Sequence, residues 1–365
     1  MRDLTEFDFG KRRRLRAWRK GYCTDPRCGS PRFRNPYSRW STVCGTPANQ
    51  ICYTVLVAKD LSKFVAAERE LWSKFGITPS ERRIRLPAGS EVRVQEVGDG
   101  PPIVFIHGAV VAGSSWVLLA DALRDEFRCI LVDRPGCGLS DPIPNGPLRS
   151  PADFKRFAED LTPGVLDGLG LDEAAIACTS MGGFFGFRAA MTHPHRVTRL
   201  VEYSWAVGTP MAKVPMMMRL GSPALLKALM VHMPISAPVV KSMLKQVGMR
   251  RAVESKTFDD DMLAWTVAHL KHTATLKSET DNNTFVSLKG ENPEFLFTDE
   301  ELQRLQMPVL LLWGDEDTNG GRREAEAFAA RLPNCSLEIV IRAGHAPWID
   351  EIEFCAAKTR DFLMN

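Results

Sequence analysis

Three short segments of this 365-residue chain carry side chains that could work together on a carbonyl group. The first is Cys178-Thr179-Ser180-Met181-Gly182-Gly183. An apolar run, Ala174 to Ala177, leads in, and a small-residue stretch, Phe184 to Ala190, leads out. That pattern reads as a strand, a tight turn with serine at its apex, and a helix. So sharp a turn strains the apex backbone and requires small neighbours, which Gly182 and Gly183 supply. It also lifts a hydroxyl clear at a helix N-terminus, where free amides and the positive dipole end can hold an anion. A serine hydroxyl is a poor nucleophile at neutral pH. It needs a base to take its proton and an acid to orient that base. Trp313-Gly314-Asp315-Glu316-Asp317 offers the acid, and Ala343-Gly344-His345-Ala346-Pro347 offers the base. Both follow apolar runs that read as strands, and open α/β sheets place their sites at strand C-termini.

Among the seven histidines, His345 fits the base best. His193 and His195 flank Pro194 in a surface turn, and His232, His269 and His272 fall in a helical stretch. His107 is expected to brace its own loop. For the acid the residues alone leave Asp317, Asp315 and Glu202 open.

The elements that must position these groups begin near residue 61. Leu61, Phe64, Val65, Leu71, Trp72 and Phe75 form a helical stripe closed by Gly76. Residues 83–86 and 91–96 alternate as a hairpin. Ile103–Ile106 and Cys129–Val132 are short all-apolar runs, as expected of strands buried on both faces. Trp116–Leu123 reads as a helix. Ser150-Pro151 is an N-cap followed by a proline at the first helical position, opening a helix to Leu169. Residues 174–178, 200–203, 309–313 and 337–341 read as further strands, and a helix over 349–362 closes the chain. Strands alternating with helices predict an α/β fold: a mostly parallel, doubly wound sheet. No strand is evident over 207–305. That stretch is helical, holds nine of the fourteen methionines, and reads as an inserted helical cap.

From about residue 61 to the end, the chain resembles the α/β-hydrolase superfamily, whose order is nucleophile, acid, histidine. The resemblance implies that Ser180 attacks, His345 is the general base and acid, and Asp317 orients the imidazole. The W-G-x-x-D pattern favours Asp317 over Asp315. His107-Gly108-Ala109 matches the family's H-G loop. It implies an oxyanion hole made by the backbone amides of Ala109 and Met181. Asp133-Arg134-Pro135-Gly136-Cys137-Gly138-Leu139-Ser140 resembles the family's D-x-P-G-x-G-x-S segment, a structural turn beside the site. Cys178 departs from the usual G-x-S-x-G and is expected to be buried and inert.

Composition sets the frame around this site. The chain is 44% hydrophobic and 25% charged, ordinary for a globular protein. It has no apolar run of the ~18 residues a membrane span requires. The net charge of +3 conceals a basic N-terminal arm: residues 1–40 hold 12 Lys/Arg against 4 Asp/Glu, and the remainder is mildly acidic. An acidic body argues against nucleic acid as its partner. Residues 1–55 lack periodicity and are expected to be a disordered, dispensable arm. The core is then 61–206 with 306–365, and the cap is 207–305. Nine cysteines without regular spacing do not form a disulfide framework, and a cytoplasmic setting is expected. The body shows no ligand cluster, so no metal or organic cofactor is implied.

Serine at the apex disfavours the alkyl-enzyme route of haloalkane dehalogenases and epoxide hydrolases. The expected reaction is hydrolysis of a small or medium apolar ester through an acyl-enzyme. A carbon–carbon bond hydrolase or cofactor-free haloperoxidase of the same fold is the alternative. The former usually carries H-G-x-G-P-G, where this chain has H-G-A-V-V-A-G, and a Trp directly after the histidine, where Trp348 lies three residues on. A ligand receptor that no longer turns its ligand over is an alternative of another class.

Overall fold

The computed structural model describes residues 60–365 except 145, 147, 149, 215 and 221. The arm expected over 1–55 lies outside the described residues. The first elements are helix α1 (Leu61–Ser73), strands β1 (Ser80–Arg85), β2 (Glu91–Val97) and β3 (Pro102–Ile106), helix α2 (Val117–Leu123) and strand β4 (Arg128–Val132). Then come α3 (Pro151–Leu169), β5 (Ala174–Ser180), α4 (Met181–Thr192) and β6 (Val197–Ala206). The chain closes with β9 (Val309–Gly314), α12 (Arg322–Ala329), β10 (Cys335–Val340), α13 (Pro347–Asp350) and α14 (Ile352–Met364). The long insertion between β6 and β9 holds α5 (Met216–Leu220), α6 (Ala224–Val231), α7 (Ala237–Gln246), α8 (Arg250–Ser255), α9 (Asp260–His272) and α10 (Thr275–Asn282). It also holds the two-residue strands β7 (Val286–Ser287) and β8 (Gly290–Glu291), and the short helix α11 (Asp299–Leu302).

The main sheet has eight strands in the order β1-β2-β4-β3-β5-β6-β9-β10. β1–β2 and β2–β4 are antiparallel, and every pair from β4 to β10 is parallel. The expected mostly parallel, doubly wound sheet is therefore present. Its central strands are buried on both faces, which is why they read as unbroken apolar runs. Two apolar clusters result, one on each side of the sheet. On one side α4 brings Phe184 onto Phe297 in a stacked pair with centroids 5.7 Å apart. On the other Trp116 stacks on Trp348 at 4.4 Å. Such pairs add about 1 kcal/mol each beyond their area burial.

Two local expectations differ from the structure. The insertion is not strand-free, because β7 and β8 pair as a short antiparallel hairpin. The closing helix is two helices, α13 and α14, broken at Glu351, whose φ of −141° is extended. By contrast α3 starts and stops where the sequence places it. The Ser150 side chain caps the Asp153 amide, and Gly170 in the left-handed region ends the helix.

Candidate active site

Ser180 is the last residue of β5 and the N-cap of α4, with φ +56° and ψ −118°. A side-chain-bearing residue adopts such angles only when its surroundings enforce them. Several bonds do so. The Val207 amide donates to the Ser180 carbonyl at 2.9 Å, and the Thr179 hydroxyl donates to the Tyr203 carbonyl at 2.7 Å. The Ser180 amide donates to Glu202 Oε1 at 3.1 Å. Gly182 and Gly183 are there for close approach. A methyl on Gly182 would collide with the carbonyl oxygens of Ile106 and His107, and one on Gly183 would lie 2.6 Å from both Glu202 oxygens.

Cys178 is fully buried, and its thiol sits over Gly186 one turn into α4. A methyl at 186 would stand 2.5 Å from Cys178 Sγ. The side chain that replaces the usual elbow glycine is thus accommodated by a glycine on the facing helix. Burial pushes the thiol pKa well above its ordinary value, with the Glu202 carboxyl adding to the effect. A thiol held protonated is not a nucleophile.

Asp317, on the loop after β9, has a fully buried side chain. Its Oδ2 accepts from the Trp205 amide at 3.1 Å and from His345 Nδ1 at 2.8 Å, and its Oδ1 accepts from the Asn319 amide at 2.9 Å. The other two carboxylates are engaged elsewhere. Asp315 accepts from the Arg342 amide at 2.6 Å, and Glu202 takes the elbow amide. With Nδ1 donating to Asp317, the imidazole's Nε2 is the nitrogen left to receive a proton. The structure joins the elements as well as the side chains. Ser180 is registered beside Ala206 on β6, and the preceding residue, Trp205, donates its amide to Asp317. The Ser180 hydroxyl makes no hydrogen bond among the described residues. Serine–histidine contacts are often long without substrate and tighten when it binds.

The loop after β3 abuts the elbow: a methyl on Gly108 would lie 3.3 Å from Ser180 Cβ. His107 braces this loop, as expected. Its Nδ1 donates to the Gly108 carbonyl at 2.7 Å, and its Nε2 accepts from the Arg134 amide at 3.0 Å. Burial, and then the neighbouring Arg134 charge, hold its pKa well below the usual value, so the ring is neutral. That matches one donating and one accepting nitrogen. Arg134 was not singled out by sequence within its structural turn. Its guanidinium donates to the carbonyls of His107 at 3.0 Å and Gly108 at 2.9 Å, and pairs with Glu279 at 3.0 Å. A trans peptide points its C=O and N–H in opposite directions. Holding the Gly108 carbonyl therefore fixes the direction of the Ala109 N–H. Val110 follows with φ +56°, an outlier for a β-branched residue and a second point of strain beside the elbow.

Beside Met181 lies a small cleft. Phe154, Phe157 and Phe185 form its apolar wall, and Arg134 and Glu279 stand at its polar side. Among the described residues no three His, Cys, Asp or Glu side chains could together hold a metal ion, and no helix is long and apolar enough to cross a membrane.

Trp205 and Glu202 act through groups that sequence reading does not single out for these roles. Trp205 contributes a backbone amide, which any residue type supplies. The sequence offers Glu202 only as an acid for the histidine, and its proximity to the elbow amide emerges from the β5–β6 register.

The residues 103–358 match the model of the alpha/beta hydrolase family. A 2-hydroxy-6-oxononadienedioate/2-hydroxy-6-oxononatrienedioate hydrolase of Burkholderia vietnamiensis is 28% identical, over 71% of this chain and 87% of that protein. Carboxylesterase YbfK of Bacillus subtilis is 25% identical, over 73% of this chain and 81% of that protein. Among solved structures, naproxen esterase of Bacillus subtilis superposes with a TM-score of 0.66 at 17% identity, covering 83% of this chain and 98% of that one. The strained serine at the end of β5, the sheet order and the matched span together place this chain in the alpha/beta hydrolase family.

Proposed function

We propose that this hydrolase cleaves carboxylic esters of small or medium apolar acids, with Ser180 as nucleophile, His345 as general base and acid, and Asp317 as the orienting carboxylate. The observation that carries the reading is the 2.8 Å bond from His345 Nδ1 to the buried Asp317, beside a serine held at φ +56°. Ser180 Oγ attacks the ester carbonyl as its proton passes to His345 Nε2. The backbone amides of Ala109 and Met181 hold the resulting oxyanion; one such donor is typically worth about 3 kcal/mol. Collapse expels the alcohol, protonated by the imidazolium, and water opens the acyl-enzyme by the same steps in reverse. In this reading residues 207–305 form the cap over a core of 61–206 and 306–365.

The pocket favours an uncharged substrate. Arg134, its cation, is already held by Glu279 and two carbonyls, so it is not free to bind a dicarboxylate. A second reading, carbon–carbon bond hydrolysis, is favoured by the 28% identity to a hydrolase whose name specifies a dienedioate. Steady-state assays on p-nitrophenyl esters of increasing chain length, set against a 2-hydroxy-6-oxo-dienoate, separate the two. Ester turnover, abolished in Ser180→Ala and lowered about 10^4-fold in Asp317→Asn, is expected. Turnover of the dienoate alone would establish the second reading. Failure of a fluorophosphonate to label Ser180 would point to a ligand receptor.

A further inference from the structure

The insertion carries an unusual stretch. From residue 203 to 253 there are seven Lys/Arg and no Asp or Glu. The same stretch presents large apolar side chains to solvent: Met216 is 69% exposed, Leu225 82% and Leu229 63%. Leu225 and Leu229 are one helical turn apart on α6 and so share a face. Leu226 and Met233 are also exposed, as is Leu288 on the β7–β8 turn. Arg219 ties these pieces together by donating to the Leu288 carbonyl at 2.9 Å, and Lys227 donates to the Asn283 carbonyl at 2.5 Å. An apolar cluster this exposed, on an otherwise well-buried chain, marks an interaction surface.

The charges around it say what kind. Farther along the insertion Lys241, Lys245, Arg250 and Arg251 each pair with a carboxylate. Lys213, Arg219, Lys227 and Lys289 form no ion pair among the described residues, and each lies beside or within the apolar group in sequence. Lys227 is turned inward, half-buried and facing Asp281, while Lys213 and Lys289 are exposed. Leucine and methionine flanked by exposed, unpaired lysines is the pattern of a segment that lies in the plane of an anionic lipid surface. A second copy of this chain would bring like charges together on the same face.

We propose that the α5–α6 face of the insertion docks on an anionic lipid surface, Leu225 and Leu229 entering the acyl region and the exposed Lys213 and Lys289 meeting the headgroups. α6 packs on α10, whose Glu279 lines the pocket beside Met181. Docking there brings the pocket close to the source of apolar substrates. The docking itself does not depend on which bond is cleaved.

Sedimentation of the full chain with vesicles tests this. The vesicles are phosphatidylcholine alone, or phosphatidylcholine with about 30 mol % phosphatidylglycerol. The wild type is expected to pellet with the anionic vesicles only, and less so as salt is raised. Leu225→Ser/Leu229→Ser should bind at least about tenfold more weakly, and Lys213→Gln/Lys289→Gln several-fold more weakly. Unchanged melting temperature and far-ultraviolet circular dichroism in both variants shows that the fold is kept. Equal binding by wild type and variants would assign any affinity to the N-terminal arm and overturn the proposal. So would no binding to anionic vesicles, or a wild-type dimer that Leu225→Ser/Leu229→Ser turns into a monomer.

Discussion

Glu202 is a fully buried carboxyl with one oxygen on the Ser180 amide and the other without a partner among the described residues. Burial raises its pKa well above 4.5, and the Asp317 charge adds to this. The titratable groups facing it are the Cys178 thiol on β5 and Asp317 after β9. Such a carboxyl keeps its proton to higher pH than a free one does. The unfolded chain ionises it near 4.5 while the folded chain keeps the proton, so the native state binds more protons over that interval. Its contribution to stability therefore declines as pH rises from about 4.5 toward the raised native pKa. Glu202→Gln removes the ionisation and retains an acceptor for the Ser180 amide. Denaturant melts at pH 5 and pH 8 should show the variant gaining on the wild type at the higher pH, with ester turnover within a few-fold. A stability difference independent of pH would mean that the carboxyl is ionised in the native state. The places of Ser180, Asp317 and His345 were legible because each lies in a short motif at the end of a strand. Glu202's role was not, since it depends on which strand lies beside the elbow.

The elbow shows how an element absorbs an unusual residue. In β5 the position normally left empty by glycine carries the Cys178 thiol, and α4 makes room for it at Gly186. The two positions exchange volume, so they should be coupled. Gly186→Ala alone drives a methyl into Cys178 Sγ and should cost about 1–3 kcal/mol by overpacking. Cys178→Ala alone leaves a gap of one sulfur atom and should also destabilise. The double variant Cys178→Ala/Gly186→Ala moves the volume from strand to helix, and a methyl at 186 then meets Cβ of residue 178 at an ordinary 3.4 Å. Chemical denaturation of all four proteins should give a favourable coupling of about 1 kcal/mol or more. Additive losses would show that the two positions do not share space. Legibility at this scale follows the strength of local signals. Ser150-Pro151 opens α3 where the sequence places it because capping is a short-range effect. The β7–β8 hairpin has two residues per strand, too few to show any alternation. The break at Glu351 has no Gly or Pro beside it to mark it in the sequence.

Over the whole molecule, the order of the three site segments was legible because each follows an apolar run that became a strand of the parallel part of the sheet. The way the insertion meets the site was not, since it rests on a contact nearly a hundred residues apart in sequence. Gly248, between α7 and α8 with φ +89°, lies against the histidine loop. A methyl there would stand 3.2 Å from the amides of both His345 and Thr318. A methyl on Gly344 would overlap the Gly248 carbonyl oxygen outright. Around this seam the Thr318 hydroxyl donates to the Gln246 carbonyl at 3.3 Å, and Arg251 pairs with Glu351 at 2.6 Å. The seam thus runs from Gly248 to the backbones of both Thr318 and His345, next to the acid as well as at the histidine. Gly344→Ala must push the insertion and the histidine loop apart, and the residue it displaces first is His345. Misplacing a reacting group by about 1 Å can cost 10^2-fold in rate. Turnover of the best ester should fall by about that factor, with fluorophosphonate labelling of Ser180 slowed in parallel. Gly248→Ala, which meets its neighbours at 3.2 Å but also carries an unfavourable φ, should lower the melting temperature as well as the rate. A Gly344→Ala enzyme with wild-type turnover would show that the seam yields on the insertion side, leaving the histidine where the strands put it.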